Sequence, residues 1–157
     1  MRKRGKSFRR HLDPLAAFNS ASRQHALDTY QKNTLGVVLR THLEALRTGK
    51  ADANAFHNLA NAVNTSMVIA ERGLGEQYGD KVGAAQEALI RLRDNGLIRE
   101  RWLLDGPGLN ALKDWIEVYE AQLEIVSQQE AIDALNEVQK RIRRGQIFEV
   151  QREGAAA

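Results

Sequence analysis

Apolar residues recur every three to four positions along nearly the whole chain, and that period leaves little room for anything but helices. Leu35, Val38, Leu39, Leu43 and Leu46 keep the spacing up to Thr48-Gly49-Lys50, where the glycine suits a left-handed C-terminal turn. A second helix is expected from about Asp52, with Phe56, Leu59, Ala60, Val63, Met67 and Ala70 on one face. The turn between the two is short, so they should form a hairpin. Gly73, Gly75 and Gly79 interrupt the pattern before Asp80; Val82, Ala85, Leu89 and Leu92 then predict another helix, closed by Asn95-Gly96.

After Asp105-Gly106-Pro107, the set Leu109, Leu112, Ile116, Tyr119, Leu123 and Val126 predicts a long amphipathic helix. Continuing its phase would turn Glu130, Asp133 and Glu137 inward, whereas Ile132, Leu135, Val138 and Ile142 restart the apolar pattern on a different phase. Ser127-Gln-Gln-Glu130 has capping-box spacing, so a bend or a fresh helix start belongs there. Arg143-Arg144-Gly145 should end the last helix, its cations suiting the negative terminus. Near the other end, Asp13-Pro14 combines a capping side chain with a proline suited to the first helical position. A hint of strand alternation is confined to "QIFEV". The expectation is an all-α bundle of five or six helices with a disordered basic N-terminal tail. Residues 1–12 form the tail and 13–150 a single helical domain, in which the 34–74 hairpin packs on the helix from 107; 151–157 is a frayed end.

The chain has 157 residues, 43% of them hydrophobic, which suffices for one core without covalent staples. It has no cysteine, which excludes disulfides, thiolate catalysis and Cys-ligated zinc, and fits a reducing compartment. Neither a membrane-spanning apolar run nor a secretory signal follows the basic start, so a cytoplasmic protein without membrane contact is expected.

Charge is unevenly placed. "MRKRGKSFRR" holds six of the 23 Lys and Arg and no acid; the other 17 face all 20 Asp and Glu, leaving residues 11–157 at net −3. The pI of 9.4 therefore comes from the tail, over a mildly acidic body. Arg2, Lys3, Arg4, Lys6, Arg9 and Arg10 suit phosphates, gaining affinity by counterion release without reading sequence, and Phe8 could stack on a base. The alternative is a solvated end that touches nothing.

Recognisable catalytic motifs are missing: there is no P-loop, no GxGxxG after a strand, no nucleophile elbow and no HExxH. The histidines are His11, His25, His42 and His57. His42 and His57 fall on opposite arms of the hairpin and could face each other, but further ligands at metal spacing are missing, and polar contacts at a helix interface are the simpler reading. Glu117, Glu120 and Glu124 share one helix face, as solvated carboxylates do. No enzymatic activity, cofactor or metal is expected.

Two segments invite a recognition role. Asn54, Asn58 and Asn61 fall on one stripe of the second helix, with Asn64 close by. Asparagine can pair with adenine edges, but the helix carries only Arg72 to meet phosphates, so amides bonding across the hairpin or a partner-binding surface are the competing readings. With them go Lys140, Arg141, Arg143 and Arg144 as candidate partner-binding cations. The second segment, "ALIRLRDNGLIRERWLLDGPG", has the layout of a winged helix-turn-helix, with Leu89 and Leu92 on the reading helix and Asp105-Gly106 at the wing tip. Against it, the stretch after the turn is periodic as a helix, where a returning strand belongs.

The order of basic tail, "LDPLAAF", "LRTHLEALRTGKADANAFHNLANAVNTS", "DGPGLNALKDWIEVYEAQLEIV" and a closing "RIRRG" resembles small all-helical proteins of proteobacterial prophages and mobile elements, some of them labelled Fis-like regulators. The resemblance covers nearly the whole chain in layout and implies a context, a phage or mobile-element accessory protein, rather than an activity. Two functions are expected from these readings. One is a nucleic-acid-associated accessory or regulatory protein holding DNA or RNA through its tail. The other is an inhibitor or adaptor that binds a host or phage protein through its helical faces.

Overall fold

Among the described residues, four of five helices start where a side chain can accept the otherwise unpaired N–H groups of the first turn. The computed structural model describes residues 25–146. Within them run α1 (Thr29–Thr48), α2 (Ala53–Glu71), α3 (Gly79–Arg99), α4 (Gly106–Ile125) and α5 (Gln128–Arg143), with a 3-10 turn at Glu76–Tyr78. Asp28 caps α1 reciprocally: its carboxylate accepts from Gln31 N at 2.7 Å while the Gln31 amide oxygen accepts from Asp28 N at 3.0 Å. Asp52 and Asp105 cap α2 and α4. Ser127 and Glu130 form the expected capping box, with bonds of 3.1 and 2.7 Å, and α5 is therefore a new helix. The basic tail, the Asp13-Pro14 start, residues 147–150 of "QIFEV" and the frayed end lie outside the described residues.

The fold is an all-α bundle around α2, which packs against each of the other four helices. That place explains its composition: Phe56, Leu59, Val63, Val68 and Ile69 are buried, and so are Asn64, Thr65 and Ser66 between them. Burying each large apolar side chain contributes about 1.5–3 kcal/mol. The polar ones are all bonded, as burial requires. Asn64 accepts from the Gln86 amide at 3.0 Å, Thr65 donates to the Asn61 carbonyl at 2.7 Å, and Ser66 donates to Gln122 of α4. Gln122 donates in turn to the carbonyls of Ser66 and Leu74, both at 3.1 Å.

The expected hairpin is α1–α2, turned by Gly49 at φ 68°, and it packs on α4. Other expectations need correction. Leu35 and Val38, whose spacing puts them on the apolar face with Leu39, Leu43 and Leu46, are 38% and 43% exposed. The reason is that α1 and α5 join only at their N-terminal ends, through the Ala26–Ser127 bridge and the bond from Gln128 N to the His25 carbonyl, and do not pack along their lengths. For the same reason Leu135 and Ile142 are exposed, and α5 meets α2 through the smaller Ala134 and Val138.

Asn95-Gly96 does not close α3, which runs on to Arg99 and ends at Glu100 in the left-handed region, φ 51°. Gly96 is buried inside the helix, where its missing side chain admits the ring of Trp102. The winged reading also falls. Residues 97–99 are helical, the described residues contain no strand, and the segment after Asp105 is α4. The α3–α4 connector folds back over the hairpin turn instead: Trp102 bridges to Ala51 and stacks on Phe56, with centroids 5.1 Å apart, and Leu104 N donates to the Leu46 carbonyl.

Candidate functional site

The six tail cations, Arg2, Lys3, Arg4, Lys6, Arg9 and Arg10, lie outside the described residues. In the body, several cations already have partners. Lys32 reaches Glu124 at 2.6 Å, and Arg40 meets Glu120 through its two terminal guanidinium nitrogens, so two of the three α4 carboxylates expected to be solvated instead tie α4 to α1. The hydrogen bond from Arg40 holds the Glu120 carboxyl below its ordinary range, and the same bond raises Arg40. Both side chains remain partly exposed, which limits such a pair to a modest contribution.

The closing basic run divides on inspection. Arg141 is engaged: it donates to both oxygens of Glu71, at 3.1 and 2.7 Å, and to Glu137 at 3.1 Å. The hydrogen bond to Glu71 leads in raising its pKa, while Glu137 is lowered by Arg141. Lys140, Arg143 and Arg144 stay exposed at the end of α5, and Arg72, next to Glu71, is exposed at the end of α2. Cations there also suit the negative ends of two helices.

The asparagine stripe is not one surface. Asn54 bonds Asp52 at 3.3 Å beside the α2 cap, and Asn58 lies 3.1 Å from His42 across the hairpin. His42 thus faces Asn58, while His57 is exposed and packs edge-on against Phe56. Asn61 is half-buried and lines a groove that the sequence reasoning did not anticipate.

That groove, of about 490 Å³, opens where α1 and α5 diverge over α2. Tyr30 and Leu35 of α1 form one wall, Ala131, Ile132 and Leu135 of α5 the other. Asn61, Ala62 and Thr65 line it from α2, and Tyr119 from α4. The other described residues lining it are Leu27, Gln31, Thr34 and Gln128, so no described lining residue carries a charge. Tyr30 is 79% exposed and Leu135 43%, a concentration of apolar surface of the kind that marks an interaction site. Tyr119 stacks on Trp115, with centroids 5.4 Å apart, and burial pushes its hydroxyl up to about 12. The sequence did hold a signal for the groove. Ala131, Ala134 and Val138 on one face of α5, with Ile132, Leu135 and Ile142 beside them, present more apolar surface than α2 alone covers.

Among the described residues no cluster of His, Asp and Glu has the makings of a metal site, and no helix is long and apolar enough to cross a membrane. Comparison of the chain with protein-family models, with curated proteins and with solved structures returned no match.

Proposed function

We propose that this chain is a non-enzymatic, nucleic-acid-associated accessory or regulatory protein of a phage or mobile element, held on phosphates by Arg2, Lys3, Arg4, Lys6, Arg9 and Arg10. The observation that carries the reading is the partition of charge: six cations and no acid in the first ten residues, against net −3 in the rest. The body adds support, because Lys32, Arg40, Arg47 and Arg141 are held by carboxylates of the same chain and have less to offer a phosphate. Lys140, Arg143 and Arg144 supply a secondary contact. A tail of this kind binds DNA or RNA with little sequence preference.

The test is fluorescence anisotropy of the full chain and of a variant lacking residues 1–10, on duplex DNA and on RNA, across a salt series. If all six tail cations meet phosphates on a duplex, log affinity falls against log salt with a slope of about −5. The deletion should abolish most binding and leave helicity unchanged. Equal binding by both proteins, or binding by neither at low salt, would move the assignment to the protein-partner reading, an inhibitor or adaptor acting through its helical faces.

A further inference from the structure

The groove between α1 and α5 is uncharged and apolar, and the described chain begins at its apex: the His25 carbonyl is bonded to Gln128 N, and Leu27 is the first lining residue. The sequence just before this point has matching chemistry. Leu12, Leu15 and Phe18 are spaced three apart, Ala16 and Ala17 lie between them, and Asp13 is the only charge from residue 12 to residue 22. We propose that residues 12–18 of this same chain occupy the groove.

Three arguments favour this occupant. The first is reach: the seven peptide steps from Phe18 to His25 span up to about 23–25 Å when extended, enough to bring Phe18 anywhere along the lining. The second is fit. Seven residues in helical form are about 10 Å long, which matches the stretch of α5 from Gln128 to Leu135. The six cations of residues 1–10, by contrast, have no counter-charge in this lining. The third is concentration: a tethered segment acts at an effective concentration of order millimolar, so a second copy or a free partner must bind far better to displace it. The inference rests on the groove and on sequence chemistry, and it stands whether or not the tail binds nucleic acid.

The absence of cysteine from the chain makes the test clean. In the full chain, Phe18→Cys is combined with Leu135→Cys or with Thr34→Cys, both lining the groove. The control combines Phe18→Cys with Val37→Cys, an exposed α1 residue in a different cleft, beside Lys32 and Glu120. Under mild oxidation at low protein concentration, each groove pair should close an intramolecular disulfide about tenfold faster than the control. Adding Leu12→Asp and Leu15→Asp should bring the groove pairs down to the control rate, with helicity retained. Equal rates in the groove and control pairs, a fast rate that survives the two aspartates, or covalent dimers in place of intramolecular closure would each overturn the proposal, the last by assigning the groove to a second copy.

Discussion

A Cβ added at Gly96 would stand 2.7 Å from Cε3 of Trp102, well inside carbon contact distance. The ring cannot simply withdraw, because it is stacked on Phe56 and its backbone bridges to Ala51. Gly96 therefore sets the path of the α3–α4 connector, and through it the start of α4.

The same substitution should have opposite effects at two places in α3. Gly96→Ala gains about 1 kcal/mol of helix propensity but meets an overpacking cost of about 1–3 kcal/mol, so its denaturant midpoint should fall. At Gly83 a new Cβ meets nothing within 4 Å, and Gly83→Ala should add up to about 1 kcal/mol of stability and so raise the midpoint. Two shifts of the same sign would show that Trp102 does not press on Gly96.

Gln122 joins α4 to α2 and to the loop after it, accepting from the Ser66 hydroxyl and donating to the Ser66 and Leu74 carbonyls. Gln122→Leu leaves the Ser66 hydroxyl buried without its acceptor and should cost about 1–3 kcal/mol. Adding Ser66→Ala removes the orphaned hydroxyl and should recover part of that loss. A double-mutant cycle measured by urea unfolding checks this; additive effects of the two changes would mean the bond contributes nothing to stability.

Helix positions were legible in the sequence wherever a local signal fixed them: Asp52, Asp105 and the Ser127–Glu130 box mark starts, and Gly49 marks an end. Reading Gly96 as a stop failed because glycine has two uses, a left-handed turn and a close approach, and only the position of Trp102 tells them apart. Leu35 and Leu135 failed for a related reason. Helical spacing shows which residues share a face but not whether a neighbour covers it, and α1 and α5 separate beyond their shared start. The groove is the result: the surplus apolar surface of α5 signals it, but only the separation of α1 from α5 forms it. Of the asparagines, the reading of amides bonding across the hairpin holds for Asn58, which meets His42, whereas Asn54 bonds its near neighbour Asp52 at the α2 cap.

The Arg40–Glu120 pair should act on the acid side. Its hydrogen bond lowers the folded-state pKa of Glu120 from 4.5, so the stabilisation is complete above the unfolded value and is lost as pH falls through the folded one. With both side chains partly exposed, Glu120→Gln should cost about 0.2–1 kcal/mol near neutral pH, less in high salt, and nothing once the wild-type carboxyl is protonated. Urea midpoints of the two proteins from neutral to strongly acidic pH, at low and high salt, provide the check. A difference that persists in strong acid would have to come from packing rather than charge.

Tyr119 should control stability at the alkaline extreme. Burial raises its folded-state pKa from 10.0 to about 12, so the unfolded tyrosine releases its proton first. Ionisation then favours unfolding: the stability Tyr119 allows is intact below pH 10 and falls by about 1.4 kcal/mol per pH unit until the folded hydroxyl ionises near 12. Tyr119→Phe keeps the ring that stacks on Trp115 and removes the titrating group. Relative to this variant, the wild type should lose about 2–3 kcal/mol across that window, measured by urea unfolding at successive pH values. Tyrosinate absorbance of the folded protein should contain a late step that the variant lacks. Stability curves that stay parallel from pH 10 to 12 would mean that the Tyr119 hydroxyl reaches solvent through the groove it lines.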